Sequence, residues 1–259
     1  MHIPGNSSRH TINFIGVHVD VLNMQGLYKK VIEFAQDNKP RKVMYVNAHC
    51  MVISRNDEEY RNILNAADLV YADGMSLVWG AKLSGHYLPG RSTAADFMPM
   101  FCKLFAREGL RLYLLGAELG VAETAGSKLK QKSPALEIVG THHGYFNQEE
   151  DERIIAEINK SRPHILLVGM GVPYQEKWIH AHYGSIDVPV IWGVGALFDF
   201  LSGKLARGPQ LLLNHGFEWL CRLFVEPRRL GKRYLVGNLL FMAYVFQWKL
   251  FRPRSKARK

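Results

Sequence analysis

Four short stretches of the chain gather residue types able to do chemistry. In AADLVYADGMSLVWG (66–80) an apolar run ends in Tyr71-Ala72-Asp73-Gly74 and passes straight into a helical pattern. Asp73 then stands at a strand's carboxyl end, beside the unpaired N–H groups of a helix start. A carboxylate there acts as a general base or caps the helix, and spacing alone favours the cap. In VGMGVPYQEKWI (168–179) Gly169-x-Gly171 follows a strand, and a proline leads to Gln175 and Glu176 at a helix start. Such backbone can approach a phosphate closely, although a plain strand–helix turn reads the same way. It is not the dinucleotide fingerprint, because Tyr174 stands where the third glycine belongs. WGVGALFDFLSGKLARGP (192–209) repeats the design with Gly193-x-Gly195. Its Asp199 lies among aromatic residues, as a site carboxylate or as a buried, hydrogen-bonded structural one. GHYLPGRSTAADF (85–97) sets Arg91 in a Gly/Pro-rich loop before a helix that Ser92 or Thr93 could cap. Arg91 reads as a clamp for a diphosphate or carboxylate, or as a solvated surface cation.

Several common chemistries lack their residues. The eleven histidines form no metal pattern: His142 and His143 are sequential and there is no HExxH. No DxD pair flanked by apolar residues offers to bridge a nucleotide diphosphate through a divalent metal. The G-x-S-x-G elbow and the P-loop are missing too, which removes common hydrolases and P-loop kinases. Neither a metal nor an organic cofactor is expected.

These sites need a scaffold, and the pattern supplies one. Apolar, β-branched runs recur at Thr11–Val19, Lys42–Val46, Leu69–Tyr71, Leu110–Leu115, Leu136–Val139, His164–Val168 and Val188–Trp192. Helix-period segments lie between them: Met24–Gln36, Asp57–Ala67, Met75–Leu83, Ala95–Glu108, Gly120–Lys132, Glu149–Lys160 and Gln175–Tyr183. Near-continuous apolar strands such as Ile165–Val168 are those of a parallel sheet covered on both faces. The alternation predicts a doubly wound α/β core with a mostly parallel sheet, whose ligands sit at the carboxyl ends of the strands.

The chain's 259 residues, 47% hydrophobic and 22% charged, fit one globular domain with an appendage. Cys50, Cys102 and Cys221 are widely spaced and odd in number, which argues against a disulfide framework or zinc site and suits a reducing cytosol. The first twenty residues lack the basic-then-apolar order of a secretory signal. Net charge is +10, but residues 1–203 hold 20 basic and 21 acidic side chains, whereas 204–259 hold 13 basic against Glu218 and Glu226 alone. A nucleic-acid binder is therefore not expected, since the body is neutral and any anionic partner must meet the tail. From about Gly208 the strands stop. Two helical runs, Leu211–Phe224 and Arg229–Phe251, flank a stop at Glu226-Pro227. The apolar part, Leu235–Phe246, falls short of the ~20 residues of a spanning helix. Basic residues on both sides, with Tyr244 and Trp248, predict a helix lying on an anionic membrane; packing on the body with a solvated basic face is the alternative. The expected division is a core over 1–205 and a basic helical appendage over 206–259.

Taken together, the blocks resemble the WecG/TagA/CpsF glycosyltransferases, glycosyltransferase family 26. The resemblance rests on Asn47-Ala48, ADLVYADGMSLVWG, GRSTAADF, LYLLGAELGVAE, IVGTHHGYF, ILLVGMGVPYQEKWI, IWGVGALFDFLSGKLARGP and GFEWLCRLFVEPRRLGKRY, over about residues 12–240. It implies a Rossmann-like core with a C-terminal helical appendage that docks at the active site and the membrane. It implies a bacterial, metal-independent, inverting transfer of a sugar from a UDP-sugar donor to a polyprenyl-diphosphate-linked acceptor in cell-surface polysaccharide synthesis. The setting would be the cytoplasmic face of the inner membrane, with a homo-oligomer as an option. The resemblance makes Asp73, in the turn with Gly74, the catalytic base. Arg222, Arg229 and Arg233 (or Lys232 at the third basic position) would neutralise the leaving diphosphate. Asn47 and Gln175 would contact the nucleotide-sugar, with Arg91, Asp96, Gly169, Gly171, Glu176 and Asp199 as further site candidates. Two positions depart from the family pattern: Tyr45 replaces a frequent Thr, and Ala94-Ala95-Asp96 replaces Gly-(Ser/Thr)-Asp. A non-catalytic nucleotide-sugar-binding module of a polysaccharide assembly complex is the alternative from another class.

Overall fold

The computed structural model describes residues 9–206, 208–209, 212, 218–225 and 227–251, without the side chains of 218, 222, 225, 227, 229, 232 and 233. A hairpin of β1 (Thr11–Phe14) and β2 (Val17–Asp20) leads into α1 (Met24–Asp37), β3 (Arg41–Val46), α2 (Ala48–Asn56), α3 (Glu58–Asn65), β4 (Leu69–Ala72), α4 (Met75–Leu83) and α5 (Ala94–Arg107). There follow β5 (Arg111–Gly116), α6 (Val121–Lys132), β6 (Glu137–His142), a 3-10 turn (Gln148–Glu150), α7 (Asp151–Ser161), β7 (Ile165–Gly169), α8 (Tyr174–His182), β8 (Val190–Gly193) and α9 (Leu197–Ser202). The appendage supplies α10 (Glu218–Val225) and α11 (Pro227–Phe251).

Strands β3 to β8 form one six-stranded sheet in the order β4-β3-β8-β7-β5-β6, every pairing parallel. Strands β4, β7 and β8 are buried at every residue, as their unbroken apolar runs require. Under one face Trp192 stacks on Phe97 and donates through Nε1 to the Tyr71 hydroxyl at 3.3 Å, filling the core between β8, β4 and α5.

Three local results differ from the pattern reading. The run Thr11–Val19 is two strands, turning at Ile15 (φ 52°) and Gly16 (φ 84°) without the Asn-Gly or Asp-Gly signature of such turns. A β-branched residue adopts that strained φ because its side chain is sunk in the core, 5% exposed. Helix α2 lies in a stretch rich in His, Cys and β-branched residues, where the periodicity showed none. Asn47 starts it by accepting from the His49 and Cys50 N–H groups at 3.0 and 3.2 Å. The Glu149–Lys160 segment opens as a 3-10 turn, because Asn147 and Glu150 form a reciprocal capping box. The hairpin itself is fastened by Asp20, which takes two bonds from Arg9 at 2.8 Å and the Val70 N–H of β4 at 2.7 Å.

Helix α11 begins at Pro227, where a missing N–H costs nothing. It lies on α2 and α4 and joins the main hydrophobic cluster through Phe241 and Val245. The contact depends on Gly80 of α4: a Cβ there would stand 2.8 Å from Phe241 Cζ and 3.1 Å from Val245 Cγ2. Gly80→Val should therefore weaken docking by about 1–3 kcal/mol, the usual cost of overpacking. Hydrogen exchange should show lost protection along α11 with β3 and β7 unchanged; unchanged protection of α11 would show that the contact does not hold it.

Candidate active site

All six parallel strands end at one cleft of about 1040 Å³. The close approach of their backbones shapes its floor. Gly116 (φ 145°) has no room for a Cβ because the Gly169 carbonyl lies against it, and a Cβ on Gly169 would stand 2.8 Å from Gly195 O. Gly195 (φ 58°) in turn sits against the Tyr45 hydroxyl.

Asp73 lines this cleft one residue past β4, its N–H donating to Val46 O at 2.8 Å. The capping position of α4 falls on the next residue, Gly74, at φ 88°. Beside Asp73, Tyr71 has its phenol pushed well above the usual range, first by burial and then by the Asp73 charge. Asn47 lines the cleft at the end of β3; its Oδ1 is committed to capping, and its Nδ2 has no partner among the described residues. Gly169 and Gly171 form one wall and Asp199 another.

The other candidates sit elsewhere. Gln175 and Glu176 are fully buried behind the wall, not in it. Gln175 Oε1 accepts the Gly195 N–H at 2.9 Å, and its Nε2 donates to Glu176 Oε1 at 2.8 Å. Both ends of the amide are thus used to hold the Gly195 turn in place. Arg91 and Asp96 meet each other at 3.2 Å beside the cleft, while Thr93, Ala94 and Ala95 of the same loop and helix line it. Arg222, Arg229, Lys232 and Arg233 lie on α10 and α11, and their side chains fall outside the described residues.

The structure adds residues that the motifs did not single out. Lys204, just past α9, reaches across to Glu118 at 2.6 Å and lies 3.9 Å from Asp199. Tyr145, 73% exposed, and Asn147 line the far end. The Asn-x-x-Glu spacing of Asn147 and Glu150 was a visible capping signal; Lys204 and Glu118 are far apart in sequence and gave none. Among the described lining residues, Asp73, Glu118, Glu150 and Asp199 face one cation, Lys204. A diphosphate entering so acidic a cleft needs cations from outside it.

Across residues 12–255 the chain matches the model of the glycosyl transferase WecG/TagA/CpsF family. It belongs to that family. The chain is a glycosyltransferase. It is 25% identical over 261 residues to an N-acetylglucosaminyldiphosphoundecaprenol N-acetyl-beta-D-mannosaminyltransferase of Staphylococcus aureus strain NCTC 8325 / PS 47, covering 100% of this chain and 99% of the relative. A protein of the same description from strain MW2 is similar to the same extent.

Burial pushes the Glu176 carboxyl from its ordinary 4.5 up to about 7, against the lowering effect of Gln175. Its Oε2 has no hydrogen-bond partner among the described residues. Between those values the folded glycosyltransferase keeps a proton that the unfolded chain releases. The stability this carboxyl confers is complete below pH 4.5 and is lost as pH rises to about 7. Glu176→Gln, neutral throughout, should abolish that slope: between about pH 5 and pH 8 the wild type should lose roughly 2 kcal/mol more than the variant in urea unfolding. Parallel pH dependences would show that Glu176 titrates normally.

Proposed function

We propose that this glycosyltransferase moves a sugar, with inversion and without a metal, from a UDP-sugar to a polyprenyl-diphosphate-linked saccharide during cell-surface polysaccharide synthesis. The observation that carries the reading is the Asp73 carboxylate in the wall of a cleft floored by glycine backbone at the ends of six parallel strands. The N-cap position of α4 itself is taken by Gly74, which places Asp73 one residue before it. The relatives named above are described as acting on a diphosphoundecaprenol-linked N-acetylglucosamine, which supports a lipid-linked acceptor here.

In this mechanism the acceptor hydroxyl loses its proton to Asp73 as its oxygen attacks the anomeric carbon. The bond from that carbon to the diphosphate oxygen breaks on the opposite face, and UDP departs with the electron pair. Lys204 is tied to Glu118 and Asp199, so it only partly offsets the acidic lining. The remaining charge neutralisation falls to Arg222, Arg229 and Lys232 or Arg233 of the appendage, in the segment that carries the chain's whole positive excess.

The same appendage would hold the enzyme at the cytoplasmic face of the membrane. Leu235, Leu239, Phe246 and Leu250 are exposed on α11, and at 100° per residue they fall within about 60° of one another on the helix. Such a ridge between basic flanks suits a helix lying in the interface. No helix among the described residues is long and apolar enough to cross a membrane.

Asp73→Ala should lower sugar transfer by at least ~10²-fold, the range for loss of a general base, while UDP affinity by calorimetry stays at the wild-type value. Transfer at the wild-type rate would remove Asp73 from the chemistry. Replacing Arg222 and Arg229 by Ala should reduce kcat far more than thermal stability; parallel losses would make these arginines structural.

A further inference from the structure

A second cavity lies at the opposite end of α2 from the transferase cleft. Asn47 and Arg55 are eight residues apart on this helix, roughly 12 Å along its axis. The cavity, about 320 Å³, opens where the last turns of α11 cross the β1–β2 turn and the facing ends of α2 and α3. Arg55, Arg61, Tyr244, Trp248 and Phe251 line it. The Arg55 guanidinium stands 6.0 Å from the centre of the Tyr244 ring. Arg61 is held by the Ser54 carbonyl at 3.0 Å, with Glu58 3.7 Å away. Trp248 Nε1 is buried and has no hydrogen-bond partner among the described residues. A buried donor left unpaired costs about 1–3 kcal/mol, so an acceptor oxygen placed there is rewarded.

What borders the cavity narrows the choice of occupant. At its rim stands Phe251, 78% exposed and next in the chain to Leu250, the last residue of the exposed ridge of α11. Directly after Phe251 the sequence continues RPRSKARK, five cations in eight residues. Guanidinium groups and a tryptophan N–H suit a phosphodiester, the ring faces suit the glycerol level of a bilayer, and the exposed Phe251 at the rim suits the start of the acyl chains.

We propose that this cavity binds the phosphodiester headgroup of an anionic glycerophospholipid of the bilayer, with Arg55 and Arg61 on the phosphate and Trp248 Nε1 donating to one of its oxygens. The site would fix the distal end of α11 on the membrane while its proximal end serves the transferase cleft. This rests on the membrane-surface reading above and adds a defined lipid subsite to it.

The test uses the full chain and flotation with phosphatidylcholine vesicles, with and without phosphatidylglycerol. Wild type should favour the phosphatidylglycerol vesicles. Arg55→Gln and Trp248→Phe should each lower that partition, the pair by roughly fivefold or more. Thermal unfolding, and transfer to a water-soluble short-prenyl acceptor, should stay at wild-type values. A wild type that floats with neither vesicle would overturn the membrane reading itself. Wild-type partition by the double variant, or equal wild-type partition to both vesicles, would overturn the headgroup site and leave the membrane reading standing. Should Arg55→Gln unfold early, Trp248→Phe alone, which keeps the ring and deletes the donor, decides the matter.

Discussion

The site depends on how closely three backbones can be brought together. At the ends of β5, β7 and β8 the chain has no space for a single Cβ, so Gly116, Gly169 and Gly195 interlock across the sheet with Tyr45 beneath the last. This crowding makes the cleft floor out of peptide groups. Holding it costs conformational entropy, because glycines such as Gly116 and Gly195, here at positive φ, lose more backbone freedom on ordering than any other residue. The holding is done from behind, by a glutamine whose amide is engaged at both ends and a carboxyl that burial keeps hard to ionise. Tyr60 belongs to the same buried neighbourhood: its phenol is raised well above the ordinary range by burial first, with the Cys50 and Glu176 charges adding to it. The region is polar chemistry turned inward, to position backbone rather than to meet substrate.

The second constraint is electrostatic. A cleft whose described lining carries four carboxylates and one lysine opposes the diphosphate it would receive. A core that is neutral overall and acidic at its mouth would be incomplete alone for that substrate, and in the proposed mechanism the positive segment after residue 203 supplies the missing sign. That helix α11 shares the main hydrophobic cluster through Phe241 and Val245 shows the appendage to be seated on the core as well as joined to it.

Much of this was legible in the sequence, for physical reasons. Buried parallel strands have to be apolar on both faces, so β3, β4, β5, β7 and β8 announced themselves, and α4 was read to the residue. The glycines after those strands marked the cleft. What was not legible involved either strain or distance. The Ile15 turn has no composition signal because tertiary burial imposes it, and α2 was hidden by residues of middling helix propensity started by one asparagine cap. The Lys204–Glu118 contact joins loops that only the fold brings together. Gln175 and Glu176 were visible as a motif, but no local pattern distinguishes a side chain that lines a cleft from one that braces its wall.

Helix α4 joins the cleft to the appendage. It starts at the Asp73-Gly74 turn and, about 9 Å on, receives Phe241 of α11 at Gly80. The proposed base and helix α11 are thus attached at two points on one short, stiff rod. Helix α11 cannot tilt or lift at this contact without leaving Phe241 exposed or levering the rod that carries the carboxylate. On the proposed function, geometry at the reacting oxygen and seating on the bilayer would be mechanically coupled, and the proton acceptor would come into register where a lipid-borne acceptor is found.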